Sequence, residues 1–590
     1  MCGILGVYNS KLQSEKLINY IRKMGFWQFH RGPDEWGEWC KNGTGLGHNR
    51  LSILDIEGGK QPMSSIDGIV HVVFNGEIYN YKEIWDELLT KGYHFKTDHS
   101  DTEVIVNGFL EWGIELFPKL KGMFAMGIFD ERSNKLFLVR DGMGIKPLYY
   151  AEGKNNCIVF ASEPKAIIKS RLMKNYGINE KAVPEYFIYR SACFENTLYK
   201  DIKRVEPGYY IELNGDNIKK TSYWNLNVSL DKYNSYEETK KLIIDCLNYS
   251  IKNHLISDVP VGLFLSGGVD SSLISALTHN YNSNIEAFTI KTNSEFDESN
   301  FANIVSQHLN IKLNKCLIDG NMFLNQFNAW SFYNDDLSSD PSALALMILS
   351  EFARERGMKV MLAGEGADEL FGGYSSYNQY KKIQMLPKLK LFKTIFRNTE
   401  GKKGEYFRNM KSNNFLGTVQ ITDFFQRRKL FKSNYIDYIV NAECQKFISD
   451  DYVENKYIRS GMIFDQLNRL PNDILNRTDR ATMAYSLETR VPFLYKNVIE
   501  LANNLPDDYC VNIKETKKIL KEIAESYIPT NVIYRPKCGF DLPIAQWLSN
   551  EFKDNIETFF YDKKIEFLNY KYLIDLYNKK LSICFYYIFN

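Results

Sequence analysis

The 590-residue sequence is short of most features that mark specialised protein classes. It has no run of about 18 apolar residues, so no membrane-spanning helix is expected. It has no surplus charge of either sign, since 73 basic and 72 acidic side chains leave +1. Without a basic surplus there is little to neutralise phosphate backbones, which argues against a nucleic-acid binder. Proline is scarce at 16 and glycine at 37, which excludes fibrous and low-complexity classes. The ten cysteines form no CxxC pair and no repeating interval. No charged leader followed by an apolar stretch opens the chain, so reduced thiols in a cytoplasmic protein are expected. What remains is an ordinary globular composition, 44% hydrophobic and 25% charged, too apolar for disorder. The length suits roughly two to four domains of about 100–200 residues each.

The N-terminal third reads as strands with a few helices. Ile69–Phe74 and Cys157–Phe160 are short β-branched or apolar runs. Met123–Phe129 and Lys135–Val139 flank the polar turn Asp130–Asn134 and read as a hairpin. Lys82–Leu89 and Thr102–Phe117 have helical periodicity. This predicts a layered sheet structure. Tyr209–Leu213 and the Asn214–Asp216 turn begin another hairpin, and a domain boundary is expected at 215, with polar linker to about Ser235. Beyond it strands and helices alternate: Tyr236–Ile256 helical, Val261–Leu265 a buried strand, Ser271–Thr278 helical, Ile285–Ile290 a strand. Phe301–His308 and Ala343–Glu355 are helical, and Val360–Leu362 is a strand. The alternation predicts a doubly wound parallel sheet with helices on both faces. From about Leu386 the sequence reads as mainly helical, and no internal repeat is present.

Two loops in the second half carry chemistry. Ser266-Gly267-Gly268-Val269-Asp270-Ser271-Ser272 follows a buried strand and opens a helix. Two glycines let backbone N–H groups approach an anion, the helix start adds orphan donors, and three serines add hydroxyls. The Walker spacing and its lysine are absent. This loop resembles the PP-loop of ATP pyrophosphatases. Ala363-Gly364-Glu365-Gly366-Ala367-Asp368 follows another buried strand. Carboxylates beside phosphates need a cation between them, so Asp270 and Asp368 are read as Mg²⁺ ligands. Solvated acidic loops are the commoner use of such residues. Both loops, however, fall at C-terminal ends of predicted parallel strands, where ligands bind.

Cys2 stands directly behind Met1. Removal of Met1 would leave a thiol and an α-amino base, pKa about 7.7–8.0, in one residue. Asn75-Gly76 offers a side-chain amide and a backbone N–H for an oxyanion hole. Arg50 can hold a carboxylate bidentately, and Glu77 and Asp101 can hold an ammonium. Those groups suit gripping glutamine while a thiolate attacks its side-chain amide.

With His30–Asp34, Gly47–Ile53, Phe74–Tyr81, Arg140–Tyr150, Phe160–Lys165, Asp479–Ala484, Glu488–Leu494 and Arg535–Phe540, these motifs run in order along the chain. About residues 1–550 resemble the glutamine-hydrolysing asparagine synthetases. The resemblance implies an α/β and α+β two-domain protein. Residues 1–215 would form a class II glutamine amidotransferase domain, an Ntn-hydrolase αββα sandwich. Residues 216–590 would form the PP-loop synthetase domain with added helices. It implies Arg50, Leu51, Ser52, Ile53, Asn75, Gly76, Glu77 and Asp101 around glutamine, with Cys2 as nucleophile. It implies Leu265, Ser266, Gly267, Gly268, Asp270, Ser271, Ser272, Ile290, Ala363, Gly364 and Lys517 around ATP, with Lys518 a neighbouring register for the lysine. Glu365 would form the acyl-adenylate and accept a proton from ammonia arriving through an internal tunnel. Glutamine, aspartate and ATP with Mg²⁺ would yield L-asparagine, glutamate, AMP and pyrophosphate through β-aspartyl-AMP. Whether two copies pair as a homodimer stays open.

Three positions depart from the family pattern. Ala363 stands where many members have Ser, and Tyr495 where Asp is usual. The segment Asp335–Ser342 carries no Arg, although the best-known members hold the acceptor there with a Thr and an Arg. Amidation of another carboxylate, an envelope sugar acid or a diamino acid, is therefore a second reading. Amidotransferases making phosphoribosylamine or glucosamine phosphate share the Cys-Gly-Ile start but lack the Ser266–Ser272 loop. A non-catalytic binding protein would be expected to have lost Cys2, Asn75, Asp270 or Glu365, and all are present.

Overall fold

Two antiparallel sheets stack face to face in the N-terminal half. The computed structural model describes residues 2–228, 233, 235–293, 297–336, 338, 340–384, 424–432, 457–535, 542–543, 546–547, 558, 562 and 566–578. The first sheet contains β1 (Gly3–Tyr8), β2 (Glu35–Lys41), β3 (Thr44–Arg50), β8 (Tyr149–Glu152), β9 (Ile158–Ala161) and β10 (Ile202–Arg204). The second contains β4 (Met63–Ser64), β5 (Val70–Ile78), β6 (Gly122–Asp130), β7 (Lys135–Arg140), β11 (Tyr209–Asn214) and β12 (Asn217–Ser222). Their orders are β10-β8-β9-β1-β3-β2 and β12-β11-β7-β6-β5-β4.

Period-two alternation explains the layering. On β5, Val70, Val72 and Phe74 face α2 (Tyr81–Thr90) and α3 (Asp101–Trp112), packing with Ile84, Leu88, Val104 and Phe109. Val73 points the other way, to Ile4, Leu46, Ala125 and Phe160 between the sheets. On β1, Leu5 and Val7 face α1 (Ser14–Trp27) and α4 (Pro164–Ser170) through Leu17, Ile21 and Ala166. The result is an αββα sandwich, as expected. The short helix α5 (Ala182–Tyr189) follows.

The C-terminal half opens with α6 (Tyr236–His254) and builds a five-stranded sheet. Its units are β13 (Val261–Phe264), α7 (Val269–His279), β14 (Glu286–Thr292), α8 (Ser299–Leu309), β15 (Lys312–Ile318), α9 (Gly320–Asn334), α10 (Ser342–Glu355), β16 (Val360–Leu362) and β17 (Glu488–Arg490). The order is β15-β14-β13-β16-β17, and every pairing is parallel. The chain runs outward from β13 on one side, then returns to start β16 on the other. Loops 265–268 and 363–366 therefore meet at the reversal point, where such sheets open a crevice.

Several expectations need correction. The helix read over Thr102–Phe117 ends at Trp112, because Gly113 turns left-handed at φ 56° and a tighter helical turn follows. The N-terminal sheet runs past 215, since β12 pairs with β11 along its length. Cys193 is disulfide-bonded, against the expectation of thiols throughout, while Cys2, Cys40, Cys157, Cys246, Cys316 and Cys510 are free. The helical reading over 386–423, 433–456 and 579–590 lies outside the described residues, as do 536–541 of the closing motif. No described helix is long and apolar enough to cross a membrane.

The halves meet across buried charge. Arg31 holds Asp479 at 2.8 and 3.1 Å and Glu163 at 3.1 Å. Glu163 also pairs with Arg480 at 2.7 Å and with Lys165. Arg480 reaches Asp335 at 3.4 Å, and Arg204 reaches Asp336 at 2.6 Å. Removing one partner strands the others without water. Arg31→Met is therefore expected to destabilise the protein by about 3–5 kcal/mol in urea denaturation. A change under about 1 kcal/mol, the size of a surface pair, would contradict a buried network.

Candidate functional site

The end of β3, the middle of β5 and the residue before β1 converge because Gly3 pairs with Asn49 and both sheets share one core. Cys2 is buried there. Its main-chain nitrogen donates to Asn75 Oδ1 at 2.9 Å, and its sulfur lies 4.0 Å from the Leu51 carbonyl. Burial pushes the Cys2 thiol above its ordinary pKa. Asn75 is fully buried, and its Nδ2 has no hydrogen-bond partner in the protein. An unmade donor of this kind costs about 1–3 kcal/mol, which a developing oxyanion would relieve. Gly76 is fixed by space, since a Cβ would sit 2.0 Å from the Met123 carbonyl oxygen on the neighbouring strand.

Other predicted groups are nearby but already engaged. Arg50 donates to the carbonyls of Asp55 and Ile56 at 2.7 and 2.8 Å and to Glu35 at 3.1 Å. It braces the Leu51–Ile56 loop, so both terminal nitrogens are taken rather than open for a carboxylate. Ser52 N–H donates to Asp34 at 2.9 Å, and the Ile53 carbonyl accepts from Asp258 N–H at 3.0 Å. Glu77 pairs with Arg490 Nη2 at 2.9 Å. Burial raises the Glu77 carboxyl well above its usual range, although Arg490 opposes this. Burial likewise pushes Asp101 up to about 6, while it accepts Ile78 N–H at 3.0 Å.

The second site is a cleft of about 300 Å³ at the sheet's reversal point. Its apolar wall includes Leu265, Phe288, Ile290, Leu346 and Ile474. Its polar wall includes Ser266, Gly268, Asp270, Ser271, Gly364, Glu365, Asp368, Arg477 and Thr478. Gly267 takes φ +71°, and a Cβ there would meet Ala302 N at 2.6 Å. The Ser266 and Ser271 hydroxyls lie 3.1 Å apart, Ser272 is buried, and no side chain caps α7. The start of α7, with no side-chain cap, is the kind of helix end that holds an anion. Gly364 lies against Asp270 and Ser271, where a Cβ would be 3.0 Å away, and Ala363 N–H donates to the Arg490 carbonyl at 2.9 Å.

Asp270 and Asp368 do converge, but on Lys517 Nζ, which is 2.6 Å from Asp368 and also bonds Asp270. Their charges raise the lysine's pKa despite burial. Lys518 instead lies 4.7 Å over the Tyr236 ring, which settles which lysine faces the loops. No cluster of three or more His, Cys, Asp or Glu side chains fit to hold a metal occurs among the described residues. Glu365 is half-buried in the wall of the cleft, desolvation there raises its pKa, and Thr478 donates to it at 3.3 Å. Arg477, Thr478 and the Arg490 link to Glu77 were not singled out from sequence. Their signal was position, immediately before or inside the Asp479–Ala484 and Glu488–Leu494 motifs.

Comparison with known proteins gives one family match in each half of the chain. The glutamine amidotransferase domain model matches residues 1–224, and the asparagine synthase model matches residues 243–583. Asparagine synthetase [glutamine-hydrolyzing] 1 of Bacillus subtilis is 33% identical, over 98% of this chain and 92% of that protein. A putative asparagine synthetase [glutamine-hydrolyzing] of Mycobacterium bovis is 32% identical, over 93% and 88%. Among solved structures, the allosteric regulatory enzyme of purine biosynthesis aligns at TM-score 0.31 and 14% identity, over 54% of this chain and 80% of that one. That likeness is too distant to carry an argument.

Because the buried Cys2 thiol sits above its ordinary pKa, its thiolate fraction should rise about tenfold per pH unit in the neutral range. Alkylation by iodoacetamide, followed on the Cys2 peptide by mass spectrometry, is expected to accelerate continuously to about pH 9. A plateau near neutral pH would show that the thiol is already ionised.

Proposed function

Since the chain belongs to the glutamine-hydrolysing asparagine synthetase family, we propose that its two sites act in sequence to make L-asparagine from L-aspartate. The carrying observation is the pairing, in one chain, of a buried cysteine beside an unpartnered amide donor with a cleft at the reversal point of a parallel sheet. At the first site Cys2 Sγ attacks the side-chain amide of glutamine. The Asn75 amide and Gly76 N–H stabilise the oxyanion, and a glutamyl thioester forms as ammonia leaves. After Met1 removal the α-amino group would be the base. Glu77 and Asp101 would hold the substrate ammonium, with Arg490 sharing Glu77, while Leu51, Ser52 and Ile53 line the approach.

At the second site adenine would lie against Leu265 and Ile290. The phosphates would take the Ser266–Ser272 loop, the α7 N-terminus, Ala363-Gly364 and Lys517. Asp270 and Asp368 fit one hard cation beside phosphates, because they are oxygen donors close enough to share Lys517 Nζ. Mg²⁺ held there would neutralise pyrophosphate charge during its departure. The β-carboxylate of aspartate would attack the α-phosphorus, giving β-aspartyl-AMP and pyrophosphate. Ammonia would displace AMP, and Glu365, whose raised pKa suits a base, would take the proton. Ammonia would travel between the two sites inside the protein, since in water it would mostly become ammonium, which is no nucleophile.

Cys2→Ala is expected to abolish glutamine hydrolysis and glutamine-dependent synthesis while ammonia-dependent synthesis survives. Product analysis should give AMP and pyrophosphate in step with asparagine. Stoichiometric ADP, or loss of both nitrogen sources in folded Cys2→Ala protein, would refute the two-site reading.

A further inference from the structure

Aspartate carries a carboxylate that is not activated, and a buried cleft must give that charge a partner. Arg469 and Arg477 are the cations lining the cleft among the described residues. The Arg469 guanidinium lies 4.1 Å over the Tyr374 ring, which occupies its face. Arg477 stands beside Thr478, the residue that donates to Glu365, and its charge acts directly on Glu365.

The local fold explains how Arg477 gets there. A widened helical stretch, Asp465–Ile474 with Pro471 inside it, runs into the helix Leu475–Met483. Wide turns of this kind often mark functional sites. They bring Arg469, Asp473 and Arg477 near one another, with Asp473 4.0 Å from Arg469 and 3.9 Å from Arg477. Nη1 is the Arg477 nitrogen nearest to both Asp340 and Asp473. The Nε–Nη2 edge, the fork that matches a carboxylate, makes no hydrogen bond among the described residues, and Arg477 lines the cleft. Asp340 is fixed independently, by Arg190 at 2.8 Å and by Ser342 N–H at 3.0 Å. The segment that lacks an arginine of its own thus anchors one supplied by another helix.

We propose that Arg477 binds the acceptor: its open Nε–Nη2 edge takes the non-reacting carboxylate of aspartate and sets the preference for a dicarboxylate. This rests on the asparagine-forming reading above. The test compares L-aspartate with β-alanine, which keeps the amine and the reacting carboxylate but lacks the other. Ammonia-dependent pyrophosphate release is measured in wild type, Arg477→Gln and Arg477→Lys. Wild type should favour aspartate, and Arg477→Gln should lower the aspartate to β-alanine ratio of kcat/KM about 10–100-fold. KM for ATP and glutaminase activity should be unchanged. Arg477→Lys keeps the charge without the fork and should give an intermediate ratio, which keeps the proposal testable if the glutamine variant does not fold. An unchanged ratio in either folded variant, or a rise in KM for ATP with both acceptors equally affected, overturns the assignment. Failure of wild type to use aspartate at all overturns the underlying reading instead.

Discussion

Arg490 is buried at the end of a three-residue strand, and its charge reaches the N-terminal half, its own strand and the end of α6. Its side chain holds Glu77 at 2.9 Å, Glu488 at 2.6 Å and the carbonyls of His254 and Ile256 at 2.8 and 2.6 Å. Its carbonyl anchors Ala363, the first residue of the Glu365 loop. One residue therefore fixes a wall of the cysteine site and the floor of the cleft. A fully desolvated cation tolerates no slack in such partners, because each lost contact leaves charge in a low-dielectric interior. Against the cost of burial, the charged amino terminus of the chain, then Arg490 and Lys146, hold the Glu488 carboxyl down at about 2, so it stays ionised.

The layered architecture was legible because burial writes itself into apolar periodicity. The β6–β7 hairpin, α2, α6 to α8, α10, β13, β14 and β16 fall where the pattern predicted them. In the C-terminal sheet two strands escaped for identifiable reasons. β15 mixes lysine and asparagine into an edge position, and β17 is Glu-Thr-Arg, whose burial is maintained by ion pairs. Hydrophobic pattern has no way to register a strand held by charge.

The site divides in the same way. Gly76, Gly267 and Gly364 were legible because their backbones leave no room for a Cβ. Cys2, Asn75 and Glu365 were legible as chemical types in ordered motifs. Partners were not, because an arginine looks alike on paper whether it meets a ligand, a loop or another domain. Arg50 bracing its own loop and Lys517 standing between two aspartates are facts of geometry alone.

The carboxylates of the 335–340 segment bear on the history of the protein. Asp335, Asp336 and Asp340 each meet a cation from the N-terminal half, namely Lys165, Arg204 and Arg190. The two halves are thus not interchangeable cassettes. A chimera that grafts either half onto a relative's counterpart would entomb unmatched charges at the seam. Substitutions on the two sides would have to arrive as compensating pairs, so lineages should diverge by correlated drift across this boundary rather than by shuffling of modules.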